Sequence, residues 1–447
     1  MKKLFLIIET TLQRLSAIVI KPSQGLNGRI PQCWHRGGLI IFSTIIFFTH
    51  NYGQQYTTTI TPERIILNLT TEPYQSMGVA WRTTDEVKNP QVQVAEAEVW
   101  ITFAEKARTI SAKSERIPLD KGETAGFYNA VIDGLKPNTL YAYRVGGDSV
   151  WSEWNQFTTA EKVAAPFTFV FLGDPQDNIK EHCSRVFREA FKKAPDAKFW
   201  LFTGDITSEP EDKQINDFYY AAGFILRMTP SILVPGNHDL AFKMEGGKIV
   251  RKKNGKKERS NLLPPTWRGQ YVLPENGISG YEEVSYYVDY QGVRFIMMNT
   301  NDRLLEQAEW MKKLLFNNPN KWTVVAFHHP LYSMGRDRDD LETRTAFQSI
   351  FDEYNVDLVL TGHDHSYGRS YKIKNGAKVK ESDQGTVYVV SVSGPKMYTV
   401  NSKYTDVMAK VGGNVQLFQV ISIDGGKLKY NSFTATGVLY DSFELAK

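Results

Sequence analysis

Short runs of apolar and β-branched residues recur along most of the chain, and their spacing divides it into two parts. Between residues 57 and 159 the runs are brief and alternate with polar residues, without the period of an amphipathic helix. We predict strands there at residues 65–69, 77–81 and 97–101. From residue 166 onward, apolar runs alternate with helical patterns, which predicts an α/β layering with chemistry at the carboxyl ends of the strands.

The elements predicted in the second part alternate in type along the chain. The predicted strands lie at residues 167–172, 199–203, 231–234, 323–327, 356–360, 387–393 and 415–422, with two more within 286–300. The predicted helices lie at residues 178–193, 211–228, 303–315 and 345–354.

A motif near the end of the first part identifies its fold. Leu135-Lys136-Pro137-Asn138-Thr139-Leu140-Tyr141 precedes an apolar run. This pattern resembles the tyrosine corner of fibronectin type III-like sandwiches, in which a phenolic hydroxyl pins a loop. The resemblance implies an all-β sandwich of about 100 residues, with Trp81 as the core tryptophan. We expect this part to brace the next domain rather than to gate substrate or to mediate adhesion.

The amino-terminal region has the layout of a secretory signal. Arg36 and two glycines precede an apolar run at residues 39–48, which matches a signal core of roughly 7–15 residues. The run is shorter than the about 20 residues that span a bilayer. Cleavage near Gly53 would leave an exported protein, periplasmic, secreted or at the cell surface; the alternative is an uncleaved anchor. No stable membrane span is predicted.

Charge and cysteine content bear on the partners and cross-links to expect. The formal net charge is +4, but residues 1–53 contain six basic residues and one acidic residue, so the remainder carries −1. A nearly neutral body gives no reason to expect nucleic-acid binding. Only Cys33 and Cys183 are present. Removal of the leader would therefore leave Cys183 without an intrachain partner, and we predict that it packs in the core.

Five polar turns, each after a predicted strand, carry the candidate chemistry. They are Gly-Asp-Pro-Gln at 173–176, Gly-Asp at 204–205, Gly-Asn-His-Asp at 236–239, His-His-Pro at 328–330 and Gly-His-Asp-His at 362–365. Two carboxylates, from Asp174 and Asp205, would leave a pair of divalent cations with a net charge near +2 if the other ligands were neutral. That surplus suits a phosphate dianion and a hydroxide nucleophile.

Taken together and in this order, the motifs resemble those of the calcineurin-like metallophosphoesterases, and in particular the purple acid phosphatase branch. The resemblance runs from about residue 62 to the C-terminus. It implies a dinuclear-metal phosphoester hydrolase with two metal ions (Fe, Zn or Mn), in which a metal-bound hydroxide attacks phosphorus in line.

The resemblance also implies a role for each residue that matches a motif. The first metal would be bound by Asp174 and His365, the second by Asn237, His328 and His363, and Asp205 would bridge them. His238 would stand over the phosphate as leaving-group acid or transition-state stabiliser, oriented by Asp239.

Three departures from the family pattern modify these expectations. Ser208 stands where the family has its iron-binding tyrosine, which predicts a colourless enzyme that uses Mn, Zn or ferrous iron. Gln176 either binds the first metal or hydrogen-bonds to a ligand. Where plant-type enzymes have a histidine pair, this chain has Asp337-Arg338. We predict that the substrate pocket draws on His329, Arg336, Arg338 and Tyr367, with Tyr332 as a further candidate, although the arginines could equally be solvated loop residues.

A basic insertion follows the third polar turn. Residues 243–259, here called the flap, contain eight basic and two acidic residues, with Asn254-Gly255 as a predicted hairpin turn. The flap is either a solvated surface element or an electropositive element that steers anionic substrates.

The predicted organisation is a leader at 1–53, a fibronectin III-like domain at 57–160 and a metallophosphoesterase domain at 166–447. The predicted fold class is an all-β sandwich followed by an α/β domain, a β-sandwich flanked by helices. The preferred function is an exported, acid-phosphatase-like phosphomonoesterase. The alternatives are a phosphodiesterase or nucleotidase on the same core, and a cell-surface binding protein with a vestigial metal site.

Overall fold

The computed structural model describes residues 59–84, 87–336, 338–401 and 403–447. The predicted leader at 1–53 therefore lies outside the described residues. None of the described helices combines the length and apolar character that crossing a bilayer requires.

The described residues of the amino-terminal part form nine strands. They are β1 (Glu63–Asn68), β2 (Met77–Thr83), β3 (Gln91–Glu96), β4 (Arg108–Ser111), β5 (Lys113–Pro118), β6 (Thr124–Ile132), β7 (Leu140–Gly147), β8 (Val150–Trp151) and β9 (Asn155–Thr158). Strands β4, β3, β7 and β8 form one sheet, with β9 paired to β7, while β1, β2, β6 and β5 lie side by side in another. The all-β fold predicted for this part is confirmed.

The tyrosine corner is present as predicted. The Tyr141 hydroxyl accepts a hydrogen bond from the Lys136 backbone N–H at 2.9 Å. Trp81 is only 1% exposed and stacks on Tyr128 with ring centroids 5.4 Å apart. Both features follow from local sequence, because the corner closes within six residues and Trp81 belongs to β2, a strand whose residues are all buried.

The strand predicted at residues 97–101 is wrong. Strand β3 ends at Glu96, and a 3₁₀ helix occupies Ile101–Lys106. The apolar side chains that suggested a strand are instead exposed, with Val99 and Trp100 at 107% and 66% of their reference areas. Apolar periodicity alone does not distinguish a buried strand from an exposed loop that has the same pattern.

The second part contains seventeen strands and six α-helices among the described residues. The strands are β10 (Phe167–Leu172), β11 (Trp200–Phe202), β12 (Ser231–Leu233), β13 (Met244–Glu245), β14 (Lys248–Ile249), β15 (Tyr286–Tyr290), β16 (Val293–Met297), β17 (Trp322–Ala326), β18 (Leu358–Thr361), β19 (Tyr367–Ser370), β20 (Ile373–Lys374), β21 (Ala377–Lys378), β22 (Val387–Val390), β23 (Met408–Gly412), β24 (Leu417–Asp424), β25 (Lys427–Thr434) and β26 (Leu439–Ala446). The helices are α1 (Ser184–Lys193), α2 (Asp212–Ala222), α3 (Ile225–Met228), α4 (Pro265–Gln270), α5 (Leu304–Phe316) and α6 (Leu341–Tyr354).

Two predicted helices begin or end differently. The predicted helix at 178–193 starts as a π-helical turn, Ile179–Cys183, before α1. The predicted helix at 211–228 is divided into α2 and α3 at Gly223, which has a φ of +57°. A residue with a positive φ cannot continue an α-helix, and glycine adopts such a φ at little cost.

Two large sheets face each other and carry the site at their edge. The order of the first is β26-β25-β24-β10-β11-β12-β1-β2-β6-β5, and that of the second is β15-β16-β17-β18-β22-β19-β23. Aromatic side chains join them: Phe295 of the second sheet makes edge-to-face contacts with Phe169 and Phe199, at centroid distances of 5.3 and 5.2 Å.

The first sheet is continuous between the amino-terminal and second parts of the chain, which the sequence pattern did not indicate. Strand β1 pairs in parallel with β12, with Asn68 opposite Ser231. A buried charge cluster reinforces the junction, since Arg64 and Arg82 both bind Asp212, at 2.8 and 2.5 Å. Removal of one member of a buried ion pair typically costs about 3–5 kcal/mol. The amino-terminal part is therefore bonded firmly to the helix layer.

The flap consists of two tight turns. Strands β13 and β14 form one hairpin, and a bridge between Arg251 and Lys257 closes a second turn around Asn254 and Gly255. Gly255 has a φ of +81°. The turn predicted at Asn254-Gly255 is therefore confirmed.

Candidate metal centre

The polar turns converge because they follow neighbouring parallel strands. In the first sheet β10, β11 and β12 are adjacent and parallel, and Asp174, Asp205 and Asn237 follow their carboxyl ends. In the second sheet β17 and β18 are adjacent and parallel, and they precede His328 and His363. The carboxyl ends of parallel strands meet at one edge, which is where sites of this layering occur.

One group of ligand atoms is carried by Asp174, Asp205 and His328, all within 4.8 Å of one another. The Nε2 atom of His328 lies 3.3 Å from Asp205 Oδ2. The Gln176 amide lies between two members of the cluster, with Nε2 2.7 Å from Asp205 Oδ2 and 3.1 Å from His365 Nε2. Asp174 Oδ1 is 3.7 Å from the same histidine nitrogen.

A second group shares His328 with the first. The Nε2 atom of His328 lies 3.2 Å from Asn237 Oδ1 and 3.1 Å from His363 Nδ1. Ring nitrogens of His328, His329 and His363 also lie within 4.8 Å of one another. The two groups share His328 and therefore lie side by side, as the ligands of two neighbouring metal ions must.

Backbone carbonyls set the orientation of two imidazoles. His328 Nδ1 lies 2.8 Å from the Thr203 carbonyl oxygen, and His365 Nδ1 lies 3.0 Å from the Lys396 carbonyl oxygen. Each carbonyl accepts the Nδ1 proton, which leaves a lone pair on Nε2 in the neutral ring. This arrangement is characteristic of histidines that bind metal through Nε2.

The turns that carry these residues have an unusual backbone conformation. Asp174, Asp205, His363 and His365 have φ values of 43°, 49°, 72° and 49°. Non-glycine residues rarely adopt positive φ, and the cost is about 1–3 kcal/mol each where the surroundings enforce it. Such strain concentrates at functional sites, because packing elsewhere compensates for it.

Two motif glycines allow the turns to pack directly on the carboxylates. A Cβ atom at Gly362 would overlap Asp174 Oδ2, and one at Gly236 would overlap Asp205 Oδ1. The same carboxylates bind backbone N–H groups of the opposing turns, from His363 to Asp174 and from His238 to Asp205, each at 2.7 Å. Glycine is therefore needed at both positions for close approach.

Burial keeps three of the histidines neutral. It lowers the pKa of His329 and of His365 to about 3, with His328 and Lys396 as the respective charged neighbours. Burial also lowers the pKa of His363 well below its ordinary value. A neutral imidazole is the form that binds a metal ion.

The carboxylates and His328 behave as a coupled group. Burial acts to lower the pKa of His328, but Asp205 and Asp174 outweigh it and raise that pKa to about 9. Burial raises the pKa of Asp174 well above its ordinary value, whereas for Asp205 the charge on His328 overcomes burial and lowers the pKa. Divalent cations at this position would replace the His328 proton as the positive charge.

Two buried oxygens show that the residues fit a pair of cations. Asp174 Oδ1 and Gln176 Oε1 are buried and lack a hydrogen-bond partner among the described residues. Buried polar atoms are nearly always bonded, so an orphaned pair beside converging imidazoles calls for an explanation. Carboxylate, amide and imidazole ligands together suit Zn, Mn or Fe ions.

Asp239 does not orient His238, and that prediction is wrong. The Asp239 carboxylate accepts hydrogen bonds from the backbone N–H groups of Ile206 at 3.0 Å and Gly236 at 2.8 Å. His238 Nδ1 instead lies 2.6 Å from the backbone carbonyl of Ser208. The Asp239 carboxylate therefore joins the turn at Gly236 to the loop that follows Asp205.

Of the four residues predicted for the substrate pocket, the structure brings His329 and Arg338 to the cluster. His329 joins the cluster, with its ring 4.3 Å from that of His363. Arg338 donates from Nη2 to His363 Nε2 at 2.5 Å and lies over the Tyr398 ring. Arg336 is exposed, and its backbone N–H donates to Thr399; the structure does not bring it to the cluster.

Tyr367 is a core residue, so its prediction as a substrate contact is wrong. It is fully buried in β19, and its hydroxyl donates to Asp441 Oδ2 at 2.8 Å. Tyr332 is also buried and packs on Tyr388 and Tyr404 rather than on the cluster. Alternation along β19 placed Tyr367 between the sheets, which adjacency to the last polar turn did not reveal.

Sequence reasoning missed Asp364, which lies between two predicted ligands. Its buried carboxylate accepts hydrogen bonds from Ser333 Oγ at 3.0 Å and from the backbone N–H groups of Met334 and Gly335, at 2.5 and 3.1 Å. It therefore fixes the loop that leads to Arg338. Its place within Gly-His-Asp-His was a signal, because a buried carboxylate between ligands needs several donors.

A cavity of about 860 Å³ lies away from this cluster, between the amino-terminal sheet and the segment around α4. Its walls include Lys113, Asn129, Arg268 and Glu275, and none of the predicted metal ligands. Volume alone therefore does not locate the reaction centre.

Comparisons with known proteins agree with the geometry. Residues 62–159 match the family Purple acid Phosphatase, N-terminal domain, and residues 167–367 match Calcineurin-like phosphoesterase. The chain is 24% identical over 410 residues to Purple acid phosphatase 23 of Arabidopsis thaliana, covering 80% of this chain and 84% of that protein. It is 27% identical over 284 residues to Acid phosphatase type 7 of Danio rerio, covering 56% of this chain and 60% of that protein.

Solved structures show the same fold. A purple acid phosphatase from yellow lupin (Lupinus luteus) seeds matches with a TM-score of 0.70 at 17% identity, covering 86% of this chain and 74% of that chain. PhoD matches with a TM-score of 0.62 at 13% identity, covering 88% and 91%.

The fold and the paired ligand groups define a metal-dependent phosphoester hydrolase with a dinuclear centre. The chain belongs to the purple acid phosphatase branch of the calcineurin-like phosphoesterases. The predicted family and fold class are confirmed.

Proposed function

We propose that the chain is an exported phosphomonoesterase whose two overlapping ligand groups hold the metal pair. The observation that carries the proposal is the contact between the two groups, in which Asp205 Oδ2 lies 3.3 Å from His328 Nε2. The proposed first group is Asp174, Gln176, Asp205 and His365, and the proposed second group is Asp205, Asn237, His328 and His363. When bound, two divalent cations supply Lewis-acid activation of water and of the phosphoryl oxygens.

The burial of the ligands sets the side from which substrate arrives. Asp174, Asp205, His328 and His365 are at most 1% exposed. Asn237, His238, His329 and His363 are half-buried and form the accessible side. A phosphoester therefore meets His238 and His329 before it meets the buried carboxylates.

Two residues on that side, His329 and Arg338, suit a phosphate dianion. Thr300 Oγ1 accepts the backbone N–H of His329 at 3.1 Å and lies 2.8 Å from its Nδ1. When the hydroxyl donates its own hydrogen to Nδ1, the neutral ring carries its proton on Nε2 and offers it to a phosphoryl oxygen. The Arg338 guanidinium, beside His363, adds a fixed positive charge.

His238 is the proposed leaving-group acid. Its Nδ1 proton is held by the Ser208 carbonyl oxygen at 2.6 Å. In the protonated ring the second proton is on Nε2, from which it passes to the departing oxygen as the P–O bond breaks.

The comparison of a monoester with a diester tests the substrate class. A dianionic monoester pairs better than a monoanionic diester with two metal ions and Arg338, so we expect kcat/KM for p-nitrophenyl phosphate to exceed that for bis(p-nitrophenyl) phosphate. A preference for the diester would favour the phosphodiesterase alternative.

Metal identity is tested by colour. Ser208 offers a hydroxyl, not a phenolate, and its Oγ donates to Asp177. A purified, metal-loaded protein should therefore lack the visible band that tyrosinate bound to ferric iron produces. A purple protein would contradict the proposed Mn, Zn or ferrous site.

Export is proposed from the sequence of residues 1–53, where a basic flank precedes an apolar run. Expression of the full chain should yield a protein outside the cytoplasm whose amino terminus lies near Gln54. Retention of an intact amino terminus would instead support the uncleaved anchor.

A further inference from the structure

The backbone carbonyl of Ser208 is a shared hydrogen-bond acceptor. His238 Nδ1 lies 2.6 Å from this oxygen, and Arg259 Nη2 donates to it at 2.8 Å. The other end of the same guanidinium, Nη1, donates to the Leu240 carbonyl at 2.7 Å. One planar group thus joins the loop after Asp205 to the segment that follows His238.

The base of the flap holds this arginine in place. The centroid of the Phe242 ring lies 4.3 Å from Arg259 Cζ and 4.6 Å from Lys257 Nζ. Lys257 in turn binds Glu209 at 2.5 Å and Glu211 at 3.1 Å. Two cations of the flap, both packed on one aromatic ring, therefore restrain the loop that carries the Ser208 carbonyl.

We propose that Arg259 is a positioning residue for His238. By fixing the Ser208 carbonyl, the guanidinium keeps the imidazole turned with Nδ1 bonded to the backbone and Nε2 available to the leaving group. The inference rests on the leaving-group role given to His238 in the proposed function. In metal sites, residues that orient a functional histidine through hydrogen bonds typically contribute about 10–100-fold to activity.

The alternative is that Arg259 contacts substrate directly. In that case its loss would raise KM for every ester and would act independently of His238. A positioning role instead lowers kcat, and it does so mainly for esters whose leaving group needs a proton. The two roles are therefore separable by kinetics.

The kinetic test uses Arg259→Ala, Arg259→Lys and the control Arg251→Ala, an exposed flap arginine whose guanidinium donates to the Gly255 carbonyl within the flap. For glycerol 2-phosphate, whose alkoxide leaves poorly, we expect Arg259→Ala to lower kcat about 10–100-fold with little change in KM. For p-nitrophenyl phosphate we expect a loss of about threefold or less, because this leaving group needs no proton. Arg259→Lys should recover part of kcat, since an ammonium reaches one carbonyl and not both.

A double-mutant cycle provides the stricter test. In a His238→Ala background, the added Arg259→Ala change should alter kcat for glycerol 2-phosphate by less than about twofold. A full, multiplicative loss in that background would overturn the proposal, as would equal losses on both substrates or a change confined to KM.

Nuclear magnetic resonance of the full chain, labelled with ¹⁵N in its histidine rings, tests whether Arg259 affects the His238 ring. This measurement does not depend on catalytic activity. The metal-free wild type and Arg251→Ala should show a hydrogen-bonded Nδ1–H signal that disappears in His238→Ala, and Arg259→Ala should shift or broaden it. An unchanged signal in Arg259→Ala would overturn the positioning role. If the wild type hydrolysed no phosphoester, the proposed function would fail, and this signal would still report on Arg259.

Discussion

The metal-ligand cluster and the flap are built in opposite ways, although the flap closely follows the turn that carries Asn237. The cluster is made of side chains that are mostly inaccessible and held by strained turns at strand ends. The flap exposes most of its cations on two short hairpins and bonds to the body through Lys257 and Arg259. The difference teaches that the groups proposed for the chemistry are locked by burial, whereas most cations of the flap face solvent. Perturbing the cluster should therefore have far larger effects than perturbing the flap.

The largest effect is expected for Asp205→Asn. Asp205 is proposed to belong to both ligand groups; its Oδ2 lies 3.3 Å from His328 Nε2, and the amide of asparagine lacks the charge that holds cations. We expect kcat/KM to fall about 10³-fold or more, with loss of bound metal, because the metal pair contributes several kcal/mol. Kinetics and elemental analysis measure this. The exposed Asp196→Asn is the matched control, and near-normal activity of Asp205→Asn would rule out a bridging role.

Next in size is His238→Ala. Loss of a positioned acid should lower kcat about 10²–10⁴-fold, while the metal content stays normal because Asn237 and the other ligands remain. His182→Ala, at an exposed histidine, is the control. Unimpaired turnover in His238→Ala would remove this residue from the mechanism.

A smaller effect is expected for Arg338→Ala. The guanidinium lies beside His363 and is proposed to bind the phosphoryl group, so its loss should raise KM about 10–100-fold, the range for a hydrogen bond to a charged group. The exposed neighbour Arg336→Ala should change KM little. Equal effects of the two substitutions would contradict the separate positions of these arginines.

The smallest effect is expected on the outer face of the flap. Replacing Lys248, Lys252, Lys253 and Lys256 with glutamine should lower kcat/KM several-fold at low salt, because exposed cations steer anions. The difference should vanish at high salt, where screening acts within about 3–10 Å. The control replaces four exposed lysines outside the flap: Lys113, Lys121, Lys380 and Lys429. An identical salt dependence of kcat/KM in the flap variant and the control variant would favour a flap that is merely solvated.

The sequence was most informative where structure depends on neighbours along the chain. The Tyr141 corner closes within six residues, and the ligand turns directly follow apolar strands, so both were predictable. Residues 97–101 were mistaken for a strand because their periodicity did not show that their side chains face solvent.

Contacts between distant segments were not predictable. The pairing of β1 with β12 joins residues more than a hundred positions apart, and only the folded sheet brings them together. The same holds for the Ser208 carbonyl, which became the partner of both His238 and Arg259 although neither lies near it in the chain. Asp239 was assigned the wrong partner for a similar reason, because one of its hydrogen-bond donors is Ile206, 33 positions away in the chain.

The proposed dinuclear centre is tested most directly by the number of metal ions that activity requires. Metal-free protein, prepared with a chelator, should be titrated with Zn²⁺ or Mn²⁺ while bound metal and hydrolysis of p-nitrophenyl phosphate are followed together. We predict that the metal-free protein is inactive and that activity rises until two ions are bound per chain. Full activity after complete metal removal would contradict the central claim.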